Sequence, residues 1–382
     1  EAAVLLASGG RPYFGDDSFP SGNPEPAVYQ VYGDVNRRTT ELEPFVKGCT
    51  QVLDIAVLLS ADSMWSKLPL TPSREWMGRP SSLAVAGAHK VLVEEHAQFA
   101  ILDSEVLIET LQDYRALMLP EQRILSEKEC AAIREFVRKG GVLIATGDTG
   151  THDTNNQPLA DFSLADVLGV HYLENKNVRR AYLRMTKEIA EFGIPRMDVQ
   201  VSGSHTLVRT TTAKPLIELV PGAGPKQAPA EAPAGPGITL NSFGRGRAIY
   251  CSVPLFEAYF QDDTSVLRKL AAWMLELAYP ATTRSIRLEN APLNVEVSYN
   301  SRGREKFVHL VNYNGDKRMS GAQRVQDFSA VHGIRVHIMC AAKPNRITLV
   351  PENQSIAFEW KNGMAEFAAR PLLLHSAYRI ES

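Results

Sequence analysis

The sequence predicts an α/β protein: a parallel sheet with helices on both faces, followed by a small antiparallel β-sandwich. Three observations carry this. Continuous apolar runs of strand length, such as Val52-Leu-Asp-Ile-Ala-Val-Leu-Leu and Val142-Leu-Ile-Ala, mark strands covered on both faces. Between residues 82 and 137 such runs alternate with segments of helical length, as in a doubly covered parallel sheet. From about Arg284 the period drops to two, with Leu293, Val295, Val297 and Tyr299 alternating with polar residues between Gly, Pro and Asn turns.

In chain order, Ala2 to Leu6 reads as the end of an apolar helix, Gly9-Gly10 as a turn and Arg11 to Phe14 as a short strand. A polar loop from Asp16 to Pro26 leads to a helix from Ala27 to Glu43, with Val28, Val31, Tyr32, Val35 and Leu42 on one face. These elements need neighbours to cover them, and the expectation is that the chain is the back part of a larger protein. After the Val52 strand comes a loop to Pro80 that holds Trp65, Trp76 and Met77. A helix from Ser82 to His96, a strand at Phe99-Ala-Ile-Leu, a helix from Glu105 to Leu111 and a strand at Tyr114-Arg-Ala-Leu-Met-Leu-Pro follow. Ser126 and Glu129 form a Ser-x-x-Glu capping box, Ile133, Phe136 and Val137 the buried stripe, and Gly140-Gly141 the stop. From Val178 only short strand-like runs appear, at Ala181, His205 and Pro215. The Pro/Ala/Gly segment from Pro221 to Gly237 reads as a mobile surface loop. Ala248-Ile-Tyr-Cys-Ser-Val is a strand, and Thr264 to Tyr279 an amphipathic helix closed by Pro280. The expected domains are 1–50, 51–282 and 283–382.

Composition narrows the function. A chain of 382 residues holds two or three domains, and a formal charge of -2 gives no reason to expect nucleic acid or an anionic membrane as partner. No apolar run approaches the ~20 residues needed to span a bilayer. Cys49, Cys130, Cys251 and Cys340 are far apart, so neither a zinc site nor a disulfide framework is indicated, and nothing requires a cofactor. The compartment stays open.

The segment from Asp54 to Val170 resembles the trimerisation domain of family 42 β-galactosidases, which has the flavodoxin-like fold of class I glutamine amidotransferases. The matching residues are Asp54-Ile-Ala-Val-Leu-Leu-Ser, Asp113-Tyr-Arg-Ala-Leu-Met-Leu-Pro, Leu125-Ser-Glu-Lys-Glu, Phe136-Val-Arg-Lys-Gly-Gly-Val-Leu-Ile-Ala-Thr-Gly and the run from Leu159 to Val170. The resemblance implies that residues 1–50 are the last strand and helix of a catalytic (β/α)8 (TIM) barrel. Gly9-Gly-Arg-Pro-Tyr-Phe-Gly-Asp-Asp and Pro20-Ser-Gly are closer to relatives with a fucosidase-like barrel. It implies glycoside hydrolysis by two carboxyl groups upstream of Glu1, hence no catalytic residue here. It also implies a ring-shaped homotrimer whose subunits help to close each other's active-site clefts. Where amidotransferases carry the nucleophilic Cys, this chain has Thr146, a poor nucleophile without a nearby base.

Several positions stay open between a structural and a functional reading. Asp16 and Asp17 suit a solvated turn or a sugar hydroxyl, with Tyr13 and Phe14 able to stack on a ring. Trp65, Trp76 and Met77 are core plugs or interface anchors. Glu94-Glu95-His96 reads as a wet helix end, Asp148 to Asn156 as Asx-rich turns rather than a calcium loop, and Gly244-Arg-Gly-Arg as a hairpin turn. A non-catalytic scaffold built on an inactive amidotransferase-like domain is the alternative to the hydrolase reading.

Overall fold

The computed structural model describes residues 2–66, 82–178, 180–224, 226–313 and 329–381. They form two compact units, Asp54–Leu92 with Phe99–Thr283, and Glu1–Leu53 with Val93–Gln98 and Arg284–Ser382. Each is described by itself.

The first of these units is built on a ten-stranded sheet. Phe99–Leu102, Ile55–Leu58, Ala116–Leu119, Val142–Thr146 and Gly246–Cys251 lie side by side and parallel. The three middle runs are buried at every position, which is why they read as unbroken apolar stretches. Successive side chains point to opposite faces. Ala56, Leu58, Leu117, Leu119, Leu143 and Ala145 therefore share one core with Leu107, Ile133 and Phe136 of the helices Ser104–Thr110 and Glu127–Arg138. The alternate residues Ile55, Val57, Met118 and Ile144 are equally buried, and the helix Ser265–Ala278 contacts the Val142–Thr146 and Gly246–Cys251 strands. The capping box forms in full: Ser126 Oγ accepts from Glu129 N, and the Glu129 carboxylate accepts from Ser126 N. After Lys139, Gly140 turns at φ 118°, which a side chain would resist, and the chain enters the next strand.

Past Gly246–Cys251 the sheet continues antiparallel through Gly235–Phe243, Lys214–Ala223, Arg180–Arg184 and Asp198–Ser202. The short strand-like runs at Ala181 and Pro215 thus extend the parallel sheet, while His205–Thr210 pairs with Val170–Lys176 in a two-stranded sheet. The expected loop from Pro221 to Gly237 is corrected here. Part of it is strand: Ala228–Pro229 pairs with Gly222 and Ala223 in a hairpin, and Gly235 to Gly237 begin the strand Gly235–Phe243. Tyr182 Oη donates to Gln227 O at 2.6 Å, and Arg184 donates to Ala230 O and Glu231 O. Side chains of a neighbouring strand hold a segment that has almost no core formers of its own.

In the other unit, a six-stranded sheet (Thr50–Gln51, Val295–Arg302, Glu305–Asn312, His375–Glu381, Arg346–Val350, Gln354–Ile356) and a four-stranded one (Ile286–Glu289, Arg335–Met339, Met364–Ala368, Phe358–Lys361) are antiparallel throughout. Val308, Leu310 and Tyr378 from the first share one core with Val336, Ile338 and Phe367 from the second. The helices Ala2–Ala7 and Pro26–Leu42 belong to this unit: Leu6 and Leu42 pack with Val350 and Ala377, and Asn300 Nδ2 donates to Ala7 O. Arg11 to Phe14 forms no strand, a second correction. Tyr13 is 91% exposed, and no described strand lies beside it to supply the ladder that a strand needs.

Candidate functional site

Loops at the carboxyl ends of parallel strands are where open α/β sheets bind ligands. Here those ends belong to Ala116–Leu119 and Val142–Thr146. Past the first, Pro120 leads to Glu121, which holds φ 49° although it is not glycine, and whose side chain is buried. Past the second, Gly147 turns at φ 60°, where an added Cβ would press on Glu121 Cγ. The two turns are stitched together. Thr146 Oγ1 donates to Glu121 Oε1 at 2.7 Å, and Tyr250 Oη and Thr206 Oγ1 donate to Gly147 O. Arg123 Nε donates to Asp148 Oδ2 at 2.8 Å in a largely buried ion pair. A cavity of about 190 Å³ opens here, lined by Glu121, Arg123, Asp148, Ser202, Glu257 and Gln261.

Thr146 itself is sealed off here. Thr146 has no exposed surface, so its hydroxyl sits beside a carboxylate but cannot meet a substrate. The thiols offer no substitute: Cys251 is buried and desolvation pushes its pKa up to about 12, and burial also raises Cys49, Cys130 and Cys340. The loop from Asp148 to Asn156 is turn chemistry. Asp153 Oδ1 accepts from Asn155 N and Gln157 N, and Thr151 Oγ1 donates to Asp148 O. Among the described residues no three His, Cys, Asp or Glu groups are placed to hold a metal ion.

The residues that the sequence singled out lie elsewhere. Tyr13, Asp16 and Asp17 are exposed in the segment between the helices Ala2–Ala7 and Pro26–Leu42. Phe14 stacks on Tyr32 at 5.3 Å, and Tyr32 Oη donates to Gly15 O, so the turn carrying the aspartates is tethered to the following helix. Trp65 is 66% exposed at the end of the helix Ala61–Ser66, while Trp76 and Met77 lie outside the described residues. His96 lies in the turn after the helix Leu83–Glu94 at φ 54°, with Nε2 3.2 Å from Pro292 O. The sequence reading did not reach Glu121 and Arg123; the Pro-Glu after an apolar run, at the carboxyl end of a parallel strand, was the available signal.

The fold therefore defines a mixed α/β domain in which Thr146 and the thiols are sealed from substrate, together with a unit whose described strands are all antiparallel. Residues 54–277 match the family described as "Beta-galactosidase trimerisation domain", and the chain belongs to that family. Its structure is similar to that of α-L-fucosidase isoenzyme 2 from Paenibacillus thiaminolyticus, with a TM-score of 0.84 and 19% identity over 99% of this chain and 56% of that one. It also resembles the β-galactosidase from Bacillus circulans sp. alkalophilus (TM-score 0.63, 17% identity, 94% of this chain, 46% of that one). The β-galactosidase from Rahnella sp. R3 is alike to a similar degree (TM-score 0.63, 18% identity, 95% and 46%). At these identities the likeness is one of fold, and the chain spans about half the length of the solved structures it matches. No curated protein matches it in sequence.

Proposed function

We propose that the chain is the C-terminal, non-catalytic portion of a glycoside hydrolase and serves its assembly as a homotrimer and the closure of its active-site clefts. The observation that carries this is the family match over residues 54–277, on a domain whose nucleophile position holds a sealed threonine. In this reading that domain is amidotransferase-like in fold and has lost the amidotransferase site. Residues 1–50 complete a (β/α)8 barrel whose two catalytic carboxylates lie upstream, and residues 283–382 form a β-sandwich. The likeness to a fucosidase over nearly the whole of this chain, but little more than half of that one, supports the assignment. A carbohydrate substrate would meet the turn at Asp16 and Asp17, with Tyr13 or Phe14 against a sugar ring. Trp65, Trp76 and Met77 would belong to the interface between subunits. The alternative, a scaffold that never meets a barrel, predicts the same inert sheet.

A panel of chromogenic galactosides and fucosides, run on this chain and on the longest product of its gene, tests the proposal. We expect turnover by a longer product that contains a barrel and none by residues 1–382 alone. Hydrolysis by this chain, abolished by a substitution within it, would refute the non-catalytic assignment.

A further inference from the structure

We propose that the stacked pair His309 and His375 is a proton-operated latch: mild acid releases the N-terminal helices Ala2–Ala7 and Pro26–Leu42 from the six-stranded sheet while the strands of that unit stay folded. The inference goes beyond the assembly reading above and needs neither a barrel nor a trimer.

The pair lies on the sheet face that these helices cover. Alternation along Glu305–Asn312 puts Phe307, His309 and Val311 on one face, and across the ladder His309 stands opposite Ala377 and Val311 opposite His375. Ala377 packs with Leu6 and Leu42 of the two helices, and the Phe307 ring lies 6.4 Å from that of Phe45. His309 has no exposed surface. His309 Nδ1 and His375 Nε2 meet at 3.2 Å. The outer nitrogens, His309 Nε2 and His375 Nδ1, are buried and have no hydrogen-bond partner among the described residues. A proton added to either ring would place a charge and a donor where neither water nor an acceptor waits.

The charged groups around the pair do not reverse this. Arg38, on the helix Pro26–Leu42, opposes a charge on His375, and Glu352, which favours one, is bridged to Arg38 at 3.1 Å. The helix Ala2–Ala7 has no ionisable side chain. Glu296 stands opposite Val311 on the strand Val295–Arg302. Burial raises its carboxyl, so that group favours the closed state in acid and works against the histidines. Arg302, Glu305 and Arg379, farther along the same face, are paired with one another.

While the helices are down, burial holds both imidazoles neutral and far below their ordinary pKa. Once the helices lift, each ring meets water and titrates near ~6.5. The open state therefore binds more protons, and opening becomes easier as pH falls. Each histidine multiplies the opening constant by roughly ten between pH 7.5 and 5.5, and the two together by roughly a hundred. Neither ring is spent on any other contact that the fold requires, which leaves the pair free to act as a sensor.

Hydrogen exchange of the whole chain at pH 7.5 and 5.5, corrected for the intrinsic rate at each pH, tests the latch. We expect protection in residues 27–42 to fall roughly a hundredfold in acid, while Val336 and Ile338, in the core of the same unit, keep theirs. H309F and H375F should each leave a fall of roughly tenfold and the double variant none, with circular dichroism to show that each is folded. A variant that does not fold leaves the comparison of helix and core in the unaltered chain to decide. An equal fall at Val336 and Ile338 would mean that the unit opens as a whole, and would overturn a local latch. Undiminished protection of residues 27–42 at pH 5.5, or the same fall in the folded double variant, would overturn the role of the histidines.

Discussion

His309 and His375 show how burial sets a chemical property, with neighbouring charge in support. They stack on adjacent strands with ring centroids 5.4 Å apart, and His309 Nδ1 lies 3.2 Å from His375 Nε2. Desolvation lowers the pKa of His309 to about 3, helped by the neighbouring imidazole, and that of His375 to about 4, helped by the charge of Arg38. In the unfolded chain both would titrate near ~6.5. Between those limits the unfolded state binds more protons than the folded one, so stability rises with pH. The contribution is complete above pH ~6.5 and is lost as pH falls toward the folded values. We expect the unit holding this pair to lose on the order of a few kcal/mol between pH 7 and pH 4. Urea unfolding across that range should show the slope, and His309→Phe should flatten it. An unchanged slope in the variant would mean that other groups set the acid sensitivity.

At the scale of elements, close approach outweighs propensity. Gly87 lies inside the helix Leu83–Glu94, where alanine would be favoured by about 1 kcal/mol. A Cβ there would run into the backbone carbonyl of Phe256, at the start of the helix Leu255–Asp262, and a carbonyl has no rotamer with which to move aside. Gly87→Ala should therefore destabilise the protein by about 1–3 kcal/mol despite its better propensity, measured as a lower urea midpoint. The same distinction explains what was legible in the sequence. The capping box at Ser126, the buried runs of the parallel strands and the helix before Pro280 depend on residues near one another in the chain, and the structure has all of them. The hairpin within 221–237 depends on Tyr182 and Arg184, about forty residues away, and no local pattern announces it. The strand expected at Arg11 fails for the opposite reason: no partner strand lies beside it among the described residues. At the candidate site, Thr146 was reached only through the resemblance, which sets it where amidotransferases carry their cysteine. Glu121 was not, because its left-handed backbone and its bond to Thr146 arise only when two strand ends are brought together.

For the whole molecule, the N-terminal residues decide between a self-sufficient piece and a part of something larger. Their inner face is already satisfied: Leu6, Ala7, Leu42 and Val46 are buried within the unit that holds the two all-antiparallel sheets. Their outer face is not. Tyr13 is 91% exposed, Val31 59%, Tyr29 51% and Phe19 50%, all within a short stretch of chain. Scattered exposed apolar residues need no explanation, but a run of large ones is surface for contact. If the first fifty residues complete a barrel, that barrel covers this face. Cleavage by chymotrypsin after Tyr13 and Phe14 should then be fast in the chain alone, because the segment from Gly9 to Glu25 holds neither helix nor strand. The helix Pro26–Leu42, with Leu42 buried and Arg38 bridged to Glu352, should survive that first cut. In a longer gene product the same two sites should be cut at least about tenfold more slowly, since cleavage requires local opening of a covered segment. Equal cleavage rates in the two proteins would show that nothing upstream covers this face, and would favour the scaffold over the hydrolase.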